Sequence, residues 1–156
     1  MHDRGSMLIL WLVIVSSITA CEWIGQTHRP DMFEGASWLK ITALIVIVAG
    51  LAIRWSAVFF LGKAFSANVA IRDAQTLNTS GLYAWVRHPS YLGLVLIFLA
   101  IGIHSRYWVS LAFAVVPTTL ALLYRIQVEE TALNHAFGDE YAAYSRRTRR
   151  LIPGVL

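Results

Sequence analysis

Charge is scarce in this sequence. Only 14% of its 156 residues are charged while 57% are hydrophobic, a balance that excludes an ordinary soluble domain. Cysteine is nearly absent: Cys21 stands alone, so neither an internal disulfide framework nor a cysteine zinc site can be built, and no metal site is expected. No low-complexity tract, internal repeat or linker interrupts the chain, and residues 1–156 read as one domain. The modest net charge of +4 is explained below by membrane topology and anionic-lipid contact, and no nucleic-acid partner is expected.

What the sequence has in abundance is apolar runs. They cluster near residues 7–24, 38–61, 90–104 and 108–124, and the first two are long enough to cross about 30 Å of hydrocarbon. The third is short for a span and needs its polar ends to complete the crossing. The fold class expected is therefore an all-α integral membrane protein of four transmembrane helices, the last two a tight hairpin turned at His104, Ser105 and Arg106. With the amino terminus inside, Arg4, Lys63, Arg72, Arg87, Arg125, Arg146, Arg147, Arg149 and Arg150 are cytoplasmic, against Arg29, Lys40 and Arg106 outside. The bias of cations toward the cytoplasm favours that orientation for both termini. A prokaryotic inner membrane, with the site facing the cytoplasm, is the expected location. The stretch SITAC, ending at Cys21, has the form of a lipoprotein processing site, but a chain held by further spans needs no lipid anchor, and the first helix is expected to be retained.

Between the second and third runs lies a polar connection, residues 63–80, without a helical stripe. Long loops of this kind are often functional, and residues 63–89 are expected to form a cytoplasmic binding loop. Arg54, about two turns from the cytoplasmic end of its run, is expected to snorkel toward headgroups or to play a structural part. The fourth run does not stop where the membrane should. Helix formers continue to Phe137, with Gly138 as the stop, so the helix protrudes by three to four turns. Pro117 is expected to kink it, Thr118 and Thr119 satisfying freed carbonyls. A helical tail over 125–156 follows, in which Asp139 caps a last segment that lays Tyr141 and Tyr144 on the lipid interface. The four arginines after Ser145 are expected on anionic headgroups.

Two clusters carry candidate chemistry. Pro89 suits the first turn of a helix with His88 just outside it, and the free N–H groups there, beside Arg87, make an anion site. Tyr83, Trp85 and Tyr91 add rings and hydroxyls, although an interfacial belt has the same composition. In RIQVEE, Arg125 and Glu129 are four apart and share a helix face, while Glu130 points about 100 degrees away; on a soluble helix such a pair is an ordinary surface salt bridge. The hairpin returns the chain to one side of the membrane. Arg87, His88, Tyr91, Arg125 and Glu129 can then line one polar cavity.

In this order, FS at Phe65 and Ser66, TSGLYAWVRHPSYLG over 79–93, EETAL over 129–133, FGDEYAAY over 137–144 and LIP over 151–153 make the chain resemble the integral-membrane methyltransferases typified by isoprenylcysteine carboxyl methyltransferase, with the phospholipid methyltransferases as relatives. The resemblance implies S-adenosylmethionine as cofactor. It places Gln75, Thr76, Leu77, Asn78 and Tyr83 along the cofactor, Arg87, His88, Pro89, Ser90 and Tyr91 at its amino-acid end, and Glu129 with Glu130 on the cofactor side. Arg125 would orient the acceptor carboxylate, so Arg125 and Glu129 are the expected catalytic residues. Gln75 replaces a frequent histidine of the family, and Asn78 a hydrophobic residue. The expected acceptor is an amphiphilic or lipid-like molecule entering from the membrane, and with fewer spans than the larger family members a prenylated protein fits less well. A carboxylate is already a nucleophile at neutral pH and needs no general base; an amine would have to lose a proton, which Glu129 or Glu130 could take.

Two other readings share these features. Membrane sterol reductases, which use NADPH, carry a related Arg-His-Pro motif and an ending like LIPG at 151–154, but EETAL matches the methyltransferases. A non-catalytic membrane subunit would explain the small residues Gly93, Ala100, Gly102, Ala112 and Ala114 as helix contacts, but not the Arg, His and Glu at one mouth. The soluble methyltransferase class is not expected, since no glycine-rich loop follows a strand-like run.

Overall fold

The computed structural model describes residues 4–27, 37–62 and 77–152. Its elements are α1 (Arg4–Thr27), α2 (Ser37–Leu61), a 3₁₀ turn (Gly81–Ala84), α3 (Pro89–His104) and α4 (Trp108–Arg147). In a solvent without hydrogen-bonding partners an apolar run must satisfy its own backbone, and a helix is the local way to do so. Three of the helices, α1, α2 and α4, are long and apolar enough to cross a membrane, and α3 is a shorter apolar helix. Large apolar side chains face outward along them, including Leu8, Leu12, Val15, Ile41, Leu44, Ile45, Val48, Phe113, Val116 and Leu120. Such a surface suits lipid. Polar residues on that surface turn inward to their own helix: Thr19 Oγ1 donates to the Val15 carbonyl at 2.8 Å and Thr42 Oγ1 to that of Trp38 at 3.0 Å.

The helices pack as α2 on α3, α3 on α4 and α4 on α1. Helices α1 and α4 run antiparallel, because Ser110 Oγ donates to the Cys21 carbonyl at 3.2 Å near one end while Arg125 bonds Ser6 Oγ near the other. Where α2 and α3 meet, the backbones touch. A Cβ on Gly93 would lie 2.6 Å from the Gly50 carbonyl oxygen and 2.8 Å from Arg54 Cβ, so only hydrogen at both glycines permits the approach. Between α3 and α4 the chain turns at Ser105 and Arg106. Ser105 Oγ donates to the Gly102 carbonyl at 2.6 Å, and Arg106 takes the left-handed φ of 58° that the tight turn demands.

Helix α4 has 40 residues, about 60 Å, or twice the hydrocarbon thickness. Its dihedrals stay helical through Pro117 and break at Gly138 (φ 48°, ψ −120°), a conformation open chiefly to glycine. The break turns the last segment back over the bundle, and three expectations about this helix and its tail are corrected. Tyr141 and Tyr144 do not lie on a lipid interface: they are 2% and 4% exposed and packed edge to face against each other inside the protein. The tail is not helical throughout, since helix ends at Arg147 and Val86 pairs with Arg149 in a lone parallel bridge. The third correction concerns Thr118, whose Oγ1 is buried without a hydrogen-bond partner and so satisfies no carbonyl freed by Pro117.

Candidate functional site

The site grows from the meeting of α3's first turn with the stretch of α4 beyond Tyr124. Pro89 occupies the first helical position with His88 as N-cap, as its fixed φ favours. His88, Pro89 and Ser90 are buried. Behind them, Arg54 of α2 donates to the Ser90 carbonyl at 3.3 Å and to Ser90 Oγ at 3.1 Å. The guanidinium thus turns inward to brace α3 instead of snorkelling outward. The His88 ring stacks on Tyr91 at 5.6 Å between centroids, and the Tyr91 hydroxyl donates to Glu129 Oε2 at 2.9 Å.

The two acids of α4 divide. Glu129, its side chain 32% exposed, has Tyr91 as its hydrogen-bond donor and His88 Nδ1 at 3.9 Å. Glu130, at 11%, points inward: Arg87 Nε donates to Oε1 at 2.9 Å, Arg150 Nε donates to Oε2 at 2.9 Å, and His88 Nε2 stands 3.5 Å from Oε1. At that separation His88 Nε2 has no hydrogen-bond partner. Arg125, 2% exposed, bonds Ser6 of α1 and lies close to the Tyr91 hydroxyl. One end of the bundle therefore gathers Arg87, His88, Tyr91, Arg125, Glu129 and Glu130.

Around this cluster the backbone is laced. Arg87 donates through one terminal nitrogen to the carbonyls of Ser145 (2.8 Å) and Thr148 (2.5 Å), and its N–H donates to the Arg149 carbonyl at 2.7 Å. His88 N–H donates to the Arg150 carbonyl at 3.0 Å. Tyr144 donates to the Tyr83 carbonyl at 2.7 Å, and Tyr83 in turn to the Ala57 carbonyl at 3.4 Å. Burial, followed by the charge on Glu129, pushes the Tyr83 phenol up, and burial outweighs Arg87 to push that of Tyr144 up to about 12. Both stay neutral donors at any physiological pH.

The other expected cofactor residues sit differently. Gln75 and Thr76 lie outside the described residues. Leu77 is half-buried. The side chain of Asn78 is engaged locally: it donates to the Phe60 carbonyl at 2.8 Å and accepts from Ser80 N–H and Oγ at 3.0 and 2.9 Å, closing the end of α2. Sequence reasoning missed Ser6 and Arg150, and it gave Arg54 a structural part without its partner Ser90. An arginine in a basic tail reads as a headgroup contact, and nothing local marks Arg150 as the one turned inward.

Burial alone would raise the Glu130 carboxyl, but His88 and Arg87 beside it overcome that and pull it down to about 2, from an ordinary 4.5. A depressed carboxylate stabilises the fold above its ordinary pKa, and the contribution is lost as pH falls through the folded one. Thermal unfolding in micelles should therefore show Glu130→Gln melting below wild type at pH 7, with the gap closing between pH 4.5 and 2. A gap that stays constant down to pH 2 contradicts this assignment.

An apolar exterior around four helices, with a charged cluster gathered at one end, defines a helical integral-membrane protein with a polar centre. The chain belongs to the isoprenylcysteine carboxyl methyltransferase (ICMT) family, whose model matches residues 43–135. It is 36% identical over 123 residues to protein-S-isoprenylcysteine O-methyltransferase of Mus musculus, which covers 76% of this chain and 43% of the mouse protein. It is 31% identical over 141 residues to protein-S-isoprenylcysteine O-methyltransferase B of Arabidopsis thaliana, covering 88% of this chain and 71% of that protein. The solved structure of the eukaryotic intramembrane Ras methyltransferase ICMT superposes with a TM-score of 0.74 at 26% identity, over 92% of this chain and 52% of the other. The chain thus spans about half the length of several of its relatives. All of α1, including Ser6, precedes the family match.

Proposed function

We propose that this chain transfers a methyl group from S-adenosylmethionine to the carboxylate of an amphiphilic acceptor that arrives through the membrane. The observation that carries the reading is the Tyr91–Glu129 pair, half-open to solvent, with Arg125 close behind it at the end of the apolar spans. The residues suit a ligand bearing both charges. Glu129 offers a carboxylate about one-third exposed, and the Nδ1 edge of the His88 ring faces the same space at 3.9 Å. When bound, S-adenosylmethionine supplies an electrophilic methyl carbon on a sulfonium.

What the chain must do is hold and orient. Tyr91 fixes the Glu129 carboxylate, and the stacked His88 ring walls the same space. Arg125, anchored by Ser6, presents a cation to the acceptor carboxylate, which is deprotonated at neutral pH and asks for no base. Orientation of two reactants accounts for much of such an acceleration, and burial of His88, Pro89 and Ser90 keeps water from one wall. For an amine acceptor the proton would have to go to Glu129, because Glu130 at about 2 is too weak a base. The relatives' names supply the acceptor class: an S-alkylated cysteine or a similar thioether carboxylate. Family membership leaves the NADPH-dependent reading without support.

Four spans, with α3 borrowing its polar ends, and a site on the cytoplasmic side agree with the distribution of cations. The reaction is tested by incubating the purified chain in lipid nanodiscs with methyl-labelled S-adenosylmethionine and a membrane-lipid extract. An alkali-labile methyl ester is the expected product. Label stable to alkali would point to an amine instead, and no transfer at all would overturn the reading.

A further inference from the structure

The adjacent acids Glu129 and Glu130 are not equivalent, and the difference assigns them separate work. We propose that Glu130 is a positioning residue that contacts no ligand: through Arg87 and Arg150 it locks segment 148–151 beside segment 85–88 and so holds His88 and Tyr91 in place. What the site binds rests on the function proposed above; the locking itself does not.

Three observations carry it. Both Glu130 oxygens are occupied by guanidinium donors, Oε1 by Arg87 Nε and Oε2 by Arg150 Nε and a terminal nitrogen, each at 2.9 Å. A carboxylate between two arginines has little charge left for a ligand cation. Arg87 then spends a terminal nitrogen on the carbonyls of Ser145 and Thr148, which ties the end of α4 to the residue just before His88. Finally, the backbone zips in register: Arg149 N–H to the Trp85 carbonyl at 3.2 Å, Arg87 N–H to that of Arg149, His88 N–H to that of Arg150. His88 is the N-cap of α3, and its own N–H is held by the tail. Glu129, three times as exposed and bonded by the neutral Tyr91, is left to face a ligand.

The test uses the full chain in nanodiscs, with hydrogen exchange over 148–151 and calorimetry with S-adenosylmethionine on Glu130→Gln, Arg150→Gln, the double variant and Glu129→Gln. Glu130→Gln and Arg150→Gln should each raise exchange in the tail and weaken the cofactor by about tenfold, the double variant being no worse than either, since groups acting as one unit are not additive. Glu129→Gln should weaken binding with tail exchange unchanged. A silent Arg150→Gln beside a weakened Glu130→Gln, or an additive double variant, overturns the proposal by making Glu130 a direct ligand. Should Glu130→Gln fail to fold, Arg150→Gln, altering a half-exposed side chain, carries the comparison with Glu129→Gln. A wild-type chain that binds no S-adenosylmethionine sinks the methyltransferase reading and this inference with it; wild-type binding with a silent Arg150→Gln sinks this inference alone.

Discussion

Arg125→Ala is expected to lower turnover by about 100-fold or more while the affinity for S-adenosylmethionine stays within about threefold, because misplacing one reactant by about 1 Å costs on that order. Arg125 is buried, bonds Ser6 of α1 and lies close to the Tyr91 hydroxyl, so little freedom is left to it before any acceptor arrives. Glu129→Ala and His88→Ala should behave in the opposite sense. Charged hydrogen bonds to a bound ligand are worth about 1.5–3 kcal/mol each, so either change should weaken the cofactor about tenfold or more. Calorimetry separates the two classes, provided a thermal melt shows each variant folded. Equal losses of cofactor affinity in Arg125→Ala and Glu129→Ala would show that Arg125 serves the cofactor and not the acceptor. Wild-type affinity in both His88→Ala and Glu129→Ala would remove the site.

Arg87→Ala should produce the largest loss of stability, about 3–5 kcal/mol, as expected when one partner of a buried charge pair is removed. Four acceptors lose a donor at once: Glu130 Oε1 and the oxygens of Ser145 and Thr148, the latter both at its carbonyl and its hydroxyl. In a chain of this size that corresponds to a fall of about 10 °C in the melting midpoint. Arg87→Lys should rescue little, because a single ammonium cannot replace the planar fork that reaches a carboxylate and two carbonyls together. A melting midpoint within about 2 °C of wild type for Arg87→Ala would contradict the description of this hub.

The spans were legible because apolar runs in a membrane protein report only their own local burial. Helices begin and end within a few residues of the runs at 7–24, 38–61 and 90–104, and the helical break at Gly138 was visible as a glycine after a run of helix formers. The meeting of His88 and Tyr91 with Glu129 was legible too, since a short connection between two helices of this length brings α4 back to the level where α3 began. What a sequence does not show is direction around a helix once two candidate residues are neighbours. Glu129 and Glu130 differ by one position, and only the tail folded back by Gly138 decides which faces inward. The same holds for Tyr141 and Tyr144: their amphipathic spacing is equally suited to lipid and to protein, and the choice depends on the bond from Tyr144 to Tyr83 some sixty residues away, with Tyr141 packed against Tyr144. Arg54 reads as a structural cation whose partner is open, and that partner is fixed only once Gly93 brings α3 close enough for Ser90 to accept from its guanidinium.

The pairing of segment 148–151 with segment 85–88 has a consequence for biosynthesis. Arg87 leaves the ribosome 61 positions ahead of Thr148, so α1, α2 and most of α3 can emerge while the hub still lacks one side. Insertion and maturation are thereby separated in time. A chain lacking residues 148–151 would keep all four helices but lose one side of its polar mouth, and its competence would rest on four residues that lie beyond the last helix.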